Sequence, residues 1–138
     1  MRAFKAALYL LAVIPLLTGA LDLVVGLRVQ ALIGAQLSPE GFRDPLLNSQ
    51  IRFFGAIWFG FGVLLVVCLS DINRYSSLLR GSLAIVFLGG LGRVASLFQF
   101  GFPTGTQGVA FVVAATAIEI IGMPLMLWWH SHVDGTSY

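Results

Sequence analysis

The chain has 138 residues, of which 58% are hydrophobic and 10% charged, and its mean hydropathy is +0.93. Soluble domains carry about 25% charged residues, so this inventory cannot cover a water-facing surface, and the length leaves no room for a separate soluble module. A formal net charge of +2 gives no nucleic-acid footprint.

Four apolar segments follow one another, at roughly residues 4–27, 51–70, 79–100 and 108–129. Each is near the ~20 residues that a helix needs to cross a bilayer core. Lipid offers no partner for backbone N–H and C=O, so helix is the expected state of all four. The fold expected is all-α: one domain over 1–138, a polytopic antiparallel bundle of four transmembrane helices.

The first segment has a rival reading. "MRAFK", an apolar run and "TGA" at Thr18–Ala20 together resemble a secretory leader. The apolar pattern continues past Ala20 to Leu27, which favours a retained helix. The only long connection comes next, at about Arg28–Ser49, and its "VQALIGAQL" is short and semi-apolar, suited to lying along a membrane surface. Asp44 before Pro45 is a helix start, an N-cap acceptor followed by a residue whose missing N–H does no harm. The second helix is therefore expected to begin at Pro45. "SDINRYSS" and "GFPTGTQG" are short connections between antiparallel neighbours.

Arg2, Lys5, Arg74 and Arg80 fall on one side of this topology, and Arg28, Arg43 and Arg52 on the other. The balance favours both termini in the cytoplasm. Tyr9, Tyr75, Trp128 and Trp129 then sit toward the cytoplasmic side as interfacial aromatics.

One ionisable residue per helix lies in or near a span: Asp22, Arg52, Arg93 and Glu119. Each costs on the order of 2.5–3.5 kcal/mol at a helix centre, less toward the ends, so something must compensate. Helical spacing aligns Asp22 with Ala12, Gly19 and Gly26, and Arg52 with Asn48, Gly55, Ala56 and Gly60. Arg93 aligns with Ser82, Gly89 and Ser96, beside Gly90 and Gly92, and Glu119 with Ala115, Thr116 and Gly122. Small residues mark faces where membrane helices approach one another, which places the charges inside the bundle. Two pairs are expected, Arg93 with Glu119 and Asp22 with Arg52. Asp22, Asn48, Arg52, Arg93 and Glu119 form the candidate cluster, either a ligand site or a device that fixes helix register. Gly19, Gly55, Gly60, Gly89, Gly92, Gly122 and Pro124 are the candidate packing or cavity positions.

Other residues carry less. Pro15 and Pro124 are expected to kink the first and fourth helices, the latter opening space near Glu119. His130 and His132 are two apart and share no helical face, so they read as interfacial residues and not a metal pair. Met123, Met126 and the phenylalanines read as packing or lipid-facing residues. Cys68 is the single cysteine and has no metal-ligand companion. No phosphate loop, nucleophile elbow or metalloprotease helix is present, and no catalytic residue is assigned.

"NSQIRFFGAIWFGFGVLL", "IVFLGGLGRVASLFQFGFPT" and "AIEIIGMPLMLWW" resemble the bacterial membrane family of domain of unknown function 4345. The specific elements are Gln50 and Arg52, the "GGLGR" of Gly89, Gly92 and Arg93, then Gly101 and Pro103, and Glu119 ahead of Pro124. The resemblance implies a compact four-helix membrane protein over nearly the whole chain. It brings no established activity, substrate or cofactor.

Two main functions compete. One is a non-catalytic membrane protein, either an accessory subunit of a larger complex or a binder of a lipid or quinone-like molecule. The other is a proton-coupled carrier working as a homodimer through Glu119, similar in size to the small multidrug-resistance transporters. An arginine beside a carboxylate favours the ionised form, the opposite of what proton uptake needs, and so weakens the second. A redox component ranks below both, since any redox centre would have to come from a partner.

Overall fold

A computed structural model describes residues 2–134, which are helical with no strand among them. Helix α1 (Arg2–Val25) stays helical through Pro15. It ends at Gly26, whose φ of +74° turns the chain in a way that a side chain would oppose. The long connection contains two short helices, α2 (Arg28–Leu32) and α3 (Pro39–Arg43). Helix α4 (Pro45–Ser70) begins where the Asp44–Pro45 signal places it, with the Asp44 carboxylate accepting from the Leu47 N–H at 2.9 Å. Helix α5 (Ser76–Phe100) precedes a final span in three parts: α6 (Thr106–Ala117), a π-helical turn (Ile118–Gly122) and α7 (Met123–Asp134).

Four of these stretches are long and apolar enough to cross a membrane: Arg2–Val25, Pro45–Ser70, Ser76–Phe100 and Thr106–His132. The chain is a multi-pass membrane protein. Helix α4 begins several residues before its apolar segment, because the Asp44 cap extends it into a polar turn that hydropathy does not mark.

The bundle is built as two pairs. Helix α1 packs along much of α4, and α5 packs on the π turn and α7. Gly19 and Gly55 set the first crossing: a Cβ on Gly19 would stand 2.8 Å from the Gly55 carbonyl oxygen, and one on Gly55 2.7 Å from Asp22 Cβ. Gly62 does the same against Leu16, with 2.9 Å to its backbone nitrogen.

The pairs share one core near the chain termini. Phe4, Leu8 and Ala12 meet Leu65, Cys68, Leu69 and Ile72 of the next span and its turn, then Leu79, Leu83 and Val86 of α5 and Met123 of α7. Trp129 closes on the Phe4 ring edge-on, with centroids 5.6 Å apart. Helix α1 enters this core from Phe4 onward.

Away from the termini the pairs diverge. On one heptad stripe of α4, Cys68 is fully buried, Phe61 half-buried and Phe54 59% exposed. On α5, Ser82 is buried, while Gly89 and Ser96 on the same stripe are exposed. Both stripes are thus covered at the terminal end and open toward the other. At that far end Gly34, at φ +98°, lies so near Gly108 that a Cβ would stand 2.7 Å from the Gly108 Cα, and Gln36 Nε2 donates to Thr104 Oγ1 at 3.0 Å.

Candidate functional site

The charged residues divide into two separate constructions. In the first, Arg93 of α5 meets Glu119 of the π turn. Arg93 Nε and Nη2 donate to Glu119 Oε2 and Oε1, both at 2.9 Å, a fork-on-fork pair. The two side chains are 33% and 12% exposed. Gly90, one turn before the arginine, allows the approach, since a Cβ there would lie 2.7 Å from Glu119 Cβ. On its other side the guanidinium stands over the Phe111 ring, 5.6 Å from the centroid, a cation–π contact.

The wide turn under Glu119 has a local cause. Pro124 has no N–H to give the Ile120 carbonyl, and its ring crowds that carbonyl. The backbone widens there, with the Met123 N–H donating to the Ile118 carbonyl five residues back. The turn carries the carboxylate. Thr116 lies three residues before Glu119, and its buried Oγ1 has no hydrogen-bond partner among the described residues.

The second construction corrects an expected pair. Asp22 and Arg52 do not form an ion pair. Arg52 Nη1 donates to the carbonyls of Leu23 and Val24, at 2.7 and 2.8 Å, and so caps the last turn of α1. Asp22 Oδ1 instead accepts from Gln30 Nε2 of α2 at 2.9 Å. The reason is the helix end itself: Gly26 stops α1, and its last carbonyls, at the negative pole of the helix, need donors more than Asp22 does. Asn48 completes the junction. Its Oδ1 accepts from the Leu27 N–H at 3.2 Å, and its Nδ2 donates to the Phe42 carbonyl at 3.5 Å.

The small-residue stripes need correcting as well. Gly19 and Gly55 lie at a close crossing, as expected. Gly60, Gly89 and Gly92 do not, since a Cβ on any of them would meet nothing within 4 Å. Gly122 faces only Ile118, at 3.8 Å, within its own turn. Two further tight positions are Gly62, seven residues beyond Gly55 on the same face of α4, and Gly90, next to the Gly89–Arg93 stripe of α5.

His130 also departs from expectation. It is fully buried, with Nδ1 accepting from Arg80 Nε at 3.3 Å and its ring 5.6 Å from that of Phe4. His132 is exposed against Trp128. Among the described residues, no three histidine, cysteine, aspartate or glutamate side chains gather at one point.

A family profile described as a domain of unknown function, DUF4345, matches residues 3–130. The chain belongs to that family. The matched DUF4345 region takes in the Arg93–Glu119 pair, the Arg52 cap and the tight glycines of both helix pairs. No curated protein and no solved structure matches the chain.

Proposed function

We propose that this membrane protein is a non-catalytic binder of a small lipophilic molecule with a polar head, a lipid or quinone-like compound held in the cleft between the helix pairs. One observation carries the reading. The Arg93 side chain is one-third exposed, near Gly89, where a Cβ meets nothing within 4 Å, and its Nη1 group makes no hydrogen bond among the described residues. Arg93 lies close to the helical stripe of Ser82 and Gly89, so it borders the space that opens above the core. Apolar walls with a few convergent polar groups are the usual make-up of a small-molecule site. The neutral pair with Glu119 lowers the cost of keeping the guanidinium in apolar surroundings.

The test is native mass spectrometry on protein extracted gently from its own membrane. A reproducible extra mass on the 14.9 kDa chain is expected. It should disappear in Gly89→Leu, which adds a bulky side chain beside Arg93 at a position where the first added carbon meets nothing within 4 Å. A chain of unaltered mass would remove the reading, and co-purifying subunits in its place would favour an accessory role in a larger complex.

The carrier reading is weaker. Both carboxylate oxygens of Glu119 already accept hydrogen bonds from Arg93, so a carried proton would have to displace that pair. A pH-driven flux lost in Glu119→Gln, with the fold and a homodimer retained, would revive it. For location we propose the bacterial inner membrane with both termini cytoplasmic. The support is the placement of Arg2, Lys5, Arg74 and Arg80 at the terminal end, against Arg28, Arg43 and Arg52 at the other.

A further inference from the structure

A hollow of about 430 Å³ lies between α2 and α3, at the end of the molecule away from the termini. Arg28 and Arg43 border it from the two elements, with Ala31, Pro39 and Phe42. Both arginines are exposed, and neither makes a hydrogen bond or ion pair among the described residues. No carboxylate borders the hollow. The two acids nearest in sequence are committed elsewhere. Asp44 caps α4 through the Leu47 N–H. Glu40 is held below the usual carboxylate range by its own backbone N–H and by the Ser38 hydroxyl, within the first turn of α3.

The arrangement is built from behind. Asn48 accepts from the Leu27 N–H and donates to the Phe42 carbonyl, so one side chain fixes the residue before each arginine. Like charges are thus held around one space with no internal partner, which a chain tolerates when an anion from outside lies between them. The level along the helices agrees. The hollow sits just past the end of α1 and the start of α4, where phosphate groups flank the hydrocarbon. Planar guanidinium forks match phosphate oxygens two at a time. The apolar residues between them suit the glycerol or first methylenes of a lipid.

We propose that the hollow between α2 and α3 is a phosphate-binding site, with Arg28 and Arg43 clamping a phosphate of an anionic phospholipid or of a free ion. It is independent of the cleft at Arg93 and can fail or stand separately.

Delipidated protein in detergent would be offered phosphatidylglycerol, dioleoylglycerol (which has no phosphate) or inorganic phosphate. Bound mass would be read by native mass spectrometry and thermal unfolding followed in parallel. Phosphatidylglycerol adducts are expected on the wild type and not with dioleoylglycerol, falling at least about tenfold in Arg28→Gln/Arg43→Gln. That variant alters exposed side chains that support nothing else, and helical circular dichroism checks its fold. If millimolar inorganic phosphate raises the unfolding temperature as much, through the same two arginines, the ligand is the free ion. Adducts that persist in the double variant, or no response to either phosphate source, would overturn the site.

Discussion

Adjacent glycines on α5 illustrate how narrowly the ion pair is placed. A methyl on Gly90 would meet Glu119 Cβ, whereas one on Gly89 would meet open space. Gly90→Ala should therefore destabilise the protein by about 1–3 kcal/mol through overpacking, with Gly89→Ala near neutral, as read by unfolding in mixed micelles. Charge reversal tests the pair itself. Arg93→Glu and Glu119→Arg should each cost on the order of 3 kcal/mol, because each leaves like charges together in apolar surroundings. The double reversal should recover at least half of the summed loss, and no recovery would mean that the contact contributes little. The partnership of Arg93 and Glu119 was legible in the sequence from opposite charges on the small-residue faces of neighbouring helices, within reach of an extended arginine. The same logic misassigned Arg52. Side-chain charge is visible in a sequence, but the unpaired carbonyls of a helix end are not, and at Leu23 and Val24 they attracted the guanidinium.

At the scale of elements, the π turn couples a proline to a carboxylate. Pro124→Ala restores an N–H to the Ile120 carbonyl and removes the reason for the wide turn. The turn should then tighten to α-helix and rotate Glu119 away from Arg93. A double-mutant cycle between positions 93 and 119 should give a coupling of about 1–3 kcal/mol in the native background and a smaller one in Pro124→Ala. An undiminished coupling would show that the turn does not aim the carboxylate. Hydropathy and the Asp44–Pro45 cap made the four spans and the start of α4 readable. Helices α2 and α3 were not readable as helices, since five residues give too little periodicity. The sequence suggested a kink at Pro124, but whether a π turn forms there depends on neighbours that it does not show.

The whole molecule is packed at the terminal end and open toward the other. Spin labels at Ala56 and Ser96, in a Cys68→Ala background, should report a broader distance distribution than labels at Ser70 and Ser77 near the core. Gly108→Leu would push away the Gly34 turn and should broaden the first distribution without changing the second. If both pairs respond equally, the two ends are not mechanically distinct. The divergence of the helix pairs was hidden from the sequence, because a glycine facing a neighbour and one facing a gap are written alike. Gly55 and Gly89 differ only in what stands opposite.

The cap that Arg52 places on α1 also bears on how the protein reaches its membrane. An isolated α1 would leave the Leu23 and Val24 carbonyls at its end to interfacial water alone. The donor arrives only when α4 has been synthesised, some thirty residues later by the spacing of Leu23 and Arg52. The first two spans therefore complete one another as a hairpin, whose protein-made cap exists only once both have been synthesised.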